Sequence, residues 1–95
     1  MNTNSMSDDE IFAIVRTSFA KLLSLPEENI SIDSRLNEDL NVDSMFLIES
    51  AMVLEDKFEI EILEDVMQKL LTIRQVVEFI SEKLTAKSKK LATIK

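Results

Sequence analysis

Cysteine, histidine, glycine, tryptophan and tyrosine are all missing from this chain of 95 residues, and proline occurs once. Without cysteine there is no disulfide framework, no thiolate nucleophile and no sulfur-held metal. Without histidine the usual general base near neutral pH and the commonest transition-metal ligand are gone. Glycine is the ordinary residue for positive φ at hairpin turns and helix ends, so its absence argues against a sheet protein. No apolar run approaches the roughly 18 residues of a membrane span. The start, MNTNSMSDDE, has neither the basic region nor the apolar stretch of a secretory signal, so a cytoplasmic location is expected. Basic residues are outnumbered, with 11 against 18 acids and a net charge of −7. Phosphate backbones would be repelled, which excludes nucleic acid and favours protein partners with basic surfaces.

What is abundant is Leu, Ile, Met, Glu, Lys and Ala, all but isoleucine strong helix formers, in a chain the size of one small domain. The expected fold is all-α: a helix bundle with three longer helices, one short third helix and a long first loop. Residues 1–6 read as a loose lead-in. The first helix starts at the capping box Ser7-Asp8-Asp9-Glu10, and Ile11, Val15, Phe19 and Leu22/Leu23 form its apolar stripe. It should end near Ser24 or Leu25, before Pro26.

Residues 26–43 form a loop punctuated by Ile30, Ile32, Leu36 and Leu40, which should pin it to the bundle; long loops of this kind are often functional. The second helix is expected from Ser44 to Phe58, with Leu47, Ala51, Leu54 and Phe58 as its core stripe. Its other side mixes Met45, Ile48 and Met52 with Glu49, Glu55, Asp56 and Glu59, as a protein-docking surface would. A short helix over 64–70 follows. Thr72 then caps a last helix from Ile73 to about Leu84, carrying an inward stripe of Ile73, Val76, Val77, Ile80 and Leu84. Residues 85–95 contain Lys87, Lys89, Lys90 and Lys95 and no acid, and read as a basic solvated tail.

Ten acids and one base lie between Glu38 and Asp65. Asp39, Asn41 and Asp43 match the opening of a calcium loop, but Ser44 and Ser50 stand where its glycine and bidentate glutamate belong, so no metal site is expected. Acids spread over helix faces stay ionised and solvated, and Ser44 without a histidine cannot serve a Ser-His-Asp triad. An enzyme is not expected. Two uses remain for Ser44 at the head of the second helix. It can cap the helix with its hydroxyl, or it can carry an attached phosphodiester whose charge the positive helix end favours.

The run LNEDLNVDSMFLIESAMVLEDKFEIEI resembles the signature of acyl carrier proteins: a leucine, two spacer residues, Asp-Ser and an apolar residue, then an acid-bearing apolar helix closing in Glu-Asp-x-Phe-x-Ile-x-Ile. The likeness extends from about Ser7 to Leu84, the expected carrier domain, and includes the Thr-Ile-x-x-Val-Val start of the last helix. It implies a four-helix carrier in which a phosphopantetheinyl transferase attaches 4'-phosphopantetheine from coenzyme A to Ser44, after Asp43. The thiol that the chain lacks would arrive on that arm and carry acyl groups as thioesters between enzymes of fatty acid or related biosynthesis. The implied partners are acyl-transferring, condensing and reducing enzymes with basic docking patches, met by Met45, Phe46, Ile48, Glu49, Met52, Glu55 and Asp56 of a monomer. Leu54, Phe58, Ile62 and Leu70 would line a space for the acyl chain between the second and third helices. Alternatives are a carrier for polyketide, peptidyl or D-alanyl transfer, or an unmodified helical adaptor.

Four positions depart from the family pattern, Met45 only by a conservative replacement of the more usual leucine. Asn41 stands where the family commonly has glycine, and asparagine is the best substitute at positive φ. Phe46 stands where many members carry a polar residue, and with Val53 it would extend the docking face toward a dedicated partner set. Leu63 replaces a frequent proline.

Overall fold

A computed structural model describes residues 6–94. Its elements are α1 (Asp8–Leu23), a 3₁₀ turn (Glu27–Asn29), α2 (Ser44–Phe58), α3 (Glu64–Lys69) and α4 (Ile73–Ile94). The expected all-helical bundle is present, with the 3₁₀ turn as an addition. Residues 1–5 of the expected lead-in lie outside the described residues, whereas Met6 packs half-buried against the core.

α1 starts where its capping box places it. Glu10 N–H donates to Ser7 Oγ at 3.2 Å, and Ser7 N–H donates to Glu10 Oε1 at 3.0 Å. Ile11, Val15 and Phe19 are fully enclosed, and they meet Leu47, Ala51, Leu54 and Phe58 of α2 and Ile73, Val76, Val77, Ile80 and Leu84 of α4 in one core. Ser50, in the middle of α2, is also fully buried; its hydroxyl donates to Leu47 O at 2.9 Å, which removes the cost of an unpaired polar atom there.

Both long helix exits before the third helix use the same device. Ser24 (φ 58°) and Glu59 (φ 55°) take left-handed conformations, and the next amide folds back: Leu25 N–H to Ala20 O at 3.0 Å, Ile60 N–H to Glu55 O at 3.3 Å. With Asn41 (φ 57°), the described residues hold three such positions without a glycine at any of them. A residue with a Cβ is strained there by roughly 1–2 kcal/mol. Ser24→Gly is therefore expected to stabilise the fold by about 0.5–1 kcal/mol, part of the relief being offset by a freer unfolded chain. A rise in the urea midpoint with an unchanged slope will show it; a fall would mean that the Ser24 side chain contributes more than its backbone costs.

The loop between α1 and α2 is fastened on both sides. Ile30, Leu36, Leu40 and Val42 are buried. Its backbone also pairs with the entry to α4: Leu36 N–H donates to Leu71 O at 2.9 Å, Ile73 N–H to Ser34 O at 3.0 Å and Arg74 N–H to Ile32 O at 2.8 Å. The last two are first-turn amides that a helix cannot satisfy itself, so the loop's carbonyls complete the start of α4. Thr72 Oγ1 accepts from Gln75 N–H at 3.2 Å, as a cap should. Arg74 clamps the same junction through Asp33 at 2.8 Å; that hydrogen bond, together with the attraction of the carboxylate, raises its pKa above the ordinary guanidinium value.

One boundary is corrected. α4 does not end near Leu84 but continues to Ile94, so most of the expected tail is helical. Residues 85–94 contain no glycine or proline and include three lysines, two alanines and a leucine, so nothing stops the helix. Lys87 Nζ also donates to Glu59 O at 2.9 Å, tying the extension to the end of α2. Lys95 lies outside the described residues.

Candidate functional site

The approach to α2 alternates in and out. Leu40 and Val42 are buried, while Asn41, Asp43 and Ser44 are exposed. Leu40 N–H donates to Arg35 O at 3.1 Å and Val42 N–H to Leu36 O at 3.0 Å, which holds this stretch against the loop. Asn41 makes its left-handed turn, and Asp43 follows in an extended conformation (φ −111°) as the N-cap. Asp43 Oδ1 accepts from Phe46 N–H at 2.8 Å, and its carbonyl accepts from Leu47 N–H at 3.1 Å. Capping is thus done by Asp43 rather than by Ser44, because the helix begins one residue earlier than a capping serine requires. Ser44 is the first helical residue, exposed at the positive end of a helix of 15 residues.

Along the outer face of α2, Met45 and Met52 are each 63% exposed, an unusual exposure for large apolar side chains. Ile48 is half-buried beside them, and Glu49 and Asp56 are exposed. Phe46 does not join this group. Its ring stands edge-to-face on Phe19 of α1, with centroids 5.2 Å apart at 86°, so the expected apolar extension through Phe46 is corrected. Val53 is half-buried on the same flank.

Glu55 differs from the other acids of α2. It is half-buried, and its Oε2 accepts the Ile62 N–H at 2.7 Å, reaching across to the connector that leads into α3. Between the two elements lies a cleft of about 460 Å³, lined by Ile48, Ala51, Met52 and Glu55 on one side and by Ile62, Leu63, Glu64 and Asp65 on the other. Of the expected lining residues only Ile62 is there. Leu54 and Phe58 point into the closed core, and Leu70 packs partly buried against it. The cleft is bounded by the neighbouring stripe 48, 51, 52 and 55, whose spacing of three, one and three residues marks a second helical face that the core stripe overshadowed. Asp43 is committed to its cap and Asp39 to Arg35, at 2.8 Å from the Arg35 N–H, so the residues of the supposed calcium loop do not converge. Among the described residues no cluster of acids could hold a metal ion.

Residues 13–80 match the family model described as "Phosphopantetheine attachment site". The chain belongs to the acyl carrier protein family. It is 33% identical over 81 residues to the acyl carrier protein of Guillardia theta, covering 85% of this chain and all of that one. To the acyl carrier protein of Campylobacter hominis it is 41% identical over 71 residues, covering 75% and 90% of the two chains. Among solved structures it resembles the apo doublet acyl carrier protein from prodigiosin biosynthesis, with a TM-score of 0.69 at 28% identity. That match covers 79% of this chain, which spans 36% of the longer one. Acyl carrier proteins are carriers and not enzymes, and their cofactor is 4'-phosphopantetheine; both statements hold for this chain.

The carrier's geometry fits such an arm at the start of α2, where an exposed hydroxyl is relieved of capping by its neighbour. Among the described residues no helix is long and apolar enough to cross a membrane. Two features of the carrier left no mark in its sequence pattern that we read: the Glu55–Ile62 hydrogen bond and the exposure of Leu63, 59%, at the lip of the cleft.

Proposed function

We propose that Ser44 is the residue that receives the 4'-phosphopantetheine arm. The observation that supports this most is the division of labour at the start of α2, where Asp43 caps the helix and Ser44 is exposed beside it. The arm supplies a thiol on which acyl groups are held as thioesters. The chain supplies the rest of the local chemistry: a hydroxyl nucleophile, a helix end whose free N–H groups and dipole favour a phosphodiester, and a loop held by Leu40 and Val42. With no histidine in the chain, the base that takes the serine proton, and the magnesium, come from the transferase.

The docking surface we propose comprises Met45, Ile48 and Met52 with Glu49 and Asp56, on a carrier domain over residues 7–84. Acids draw the basic patches of partners at long range, and the small apolar group provides close contact. The partners are the transferase and the acyl-transferring, condensing and reducing enzymes of fatty acid or a related acyl pathway, met by a cytoplasmic monomer.

The test is intact mass and peptide mapping of unmodified protein incubated with coenzyme A, magnesium and a broad-specificity transferase. A gain of one phosphopantetheine on the peptide holding Ser44 is expected; no gain, repeated with the transferase of the native host, would overturn the reading. Reversing Glu49 and Asp56 together to lysine is expected to slow loading about tenfold or more at low salt, with the deficit shrinking as salt rises. A deficit independent of salt would mean that these acids do not act through long-range attraction.

A further inference from the structure

Glu55 sits among the acids of α2 by sequence, yet its carboxylate is half-buried and engaged across the cleft. Oε2 accepts from the Ile62 amide at 2.7 Å, across the cleft between α2 and α3. The far wall that it grips has few other polar ties to α2. α3 has six residues, and Leu63, its N-cap, makes no side-chain capping bond. Leu63 itself is 59% exposed, while Ile62 and Met67 are the buried anchors of this stretch. Among the described residues, the Glu55 bond is the side-chain hydrogen bond that joins residues 60–70 to α2. The backbone of Glu55 contributes too, since its carbonyl receives the amides of Glu59 and Ile60 where the chain leaves the helix.

The cleft has an apolar lining from Ile48, Ala51, Met52, Ile62 and Leu63. Ile48 is four residues from Ser44 on the same side of α2, about 6 Å along the axis. The cleft therefore opens on the side of α2 from which an arm on Ser44 departs.

We propose that Glu55 is a positioning residue that holds the cleft's far wall in place as a hydrogen-bond acceptor, and thereby shields an acyl chain lying there. This rests on the carrier reading above and on Ser44 as the point of attachment. Glu55 does so through the geometry of its oxygen rather than through its charge. Glutamine, which keeps an acceptor oxygen on a side chain of the same length, preserves the function; alanine, which has none, loses it.

Two measurements test this. The first uses the unloaded protein and reads amide hydrogen exchange by NMR in the wild type, Glu55→Gln and Glu55→Ala. Exchange at Ile62 is expected to accelerate about tenfold in Glu55→Ala and by no more than about twofold in Glu55→Gln, with the amides of Leu54 and Ile80 unchanged. Unchanged exchange at Ile62 in the alanine variant overturns the proposal. So does a glutamine variant as fast as alanine, which would make charge the operative property, or an equal acceleration at Leu54 and Ile80, which would make the bond a general stabiliser.

The second loads each variant with an octanoyl or an acetyl group and follows cleavage by hydroxylamine. Its nitrogen attacks the thioester carbonyl, the carbon–sulfur bond breaks, and the thiol returns to the arm as the hydroxamate leaves. Octanoyl release is expected to quicken several-fold in Glu55→Ala alone, with acetyl release, from a group too short to fill the cleft, equal in all three. Equal octanoyl rates overturn the shielding role. Intact mass reports loading separately, so failure to load any of the three proteins counts against the carrier reading and not against Glu55.

Discussion

Ser44→Ala will gain no phosphopantetheine under conditions that load the wild type to completion, and it will melt within a few degrees of it. The two halves of that result come from different residues. Loading fails because the nucleophilic oxygen is gone. Stability survives because the cap is provided by Asp43, whose carboxylate bonds the Phe46 amide at 2.8 Å, and because alanine is the best of all residues inside a helix. Had Ser44 been the cap, the same substitution would cost about 1 kcal/mol. Asp43→Ala supplies the contrast, losing about 1 kcal/mol of stability while keeping the serine. Intact mass and a thermal melt on the two variants separate the roles. A mass gain in Ser44→Ala would place the arm on another residue, and a clear loss of stability there would return the capping role to Ser44.

The largest loss of stability is expected from Phe19→Ala. Phe19 is fully buried in α1 and receives the edge-to-face contact of Phe46 from α2. Truncating a buried phenylalanine costs about 3–5 kcal/mol, out of a total of about 5–15 for a typical domain. A chain this small has little reserve, so the variant should be substantially unfolded at physiological temperature, as circular dichroism and urea titration will show. Phe46→Ala, which removes a half-buried ring, is expected to cost about 1–2 kcal/mol and to leave the loading rate of the folded protein unchanged. Wild-type stability together with slower loading would instead put Phe46 on the docking surface.

Phe46 also shows where a helical wheel stops being informative. Ser50, four residues on and fully buried, marks how far the inward face of α2 extends, and Phe46 lies at its edge. Position on one helix leaves such a residue undecided; the ring of Phe19, on another helix, decides it. The starts of α1 and α2 and the core stripes were legible because caps and apolar spacing are local and written in side chains. The far end of α4 was not, since only a stop signal ends a helix and residues 85–94 hold none. The pairing of the loop with residues 71–74 was equally hidden. It is made by backbone carbonyls and amides, which every sequence shares. The surface cleft escaped notice for a third reason: two stripes on α2 have helical spacing, and the residues of the stronger one, Leu54 and Phe58, are in the core.

The fastening of the loop to α4 also bears on the order in which the bundle can close. Ile32 and Ser34 reach partners some forty positions further along the chain, Arg74 and Ile73, and the segment that carries Ser44 hangs from that junction. A nascent chain that has made α1 and α2 but not α4 lacks the partners of Ile32, Ser34 and Leu36 in that junction. The loop that leads to Ser44 therefore completes its backbone pairing only when the last helix has formed, which makes its order a report on closure of the whole bundle.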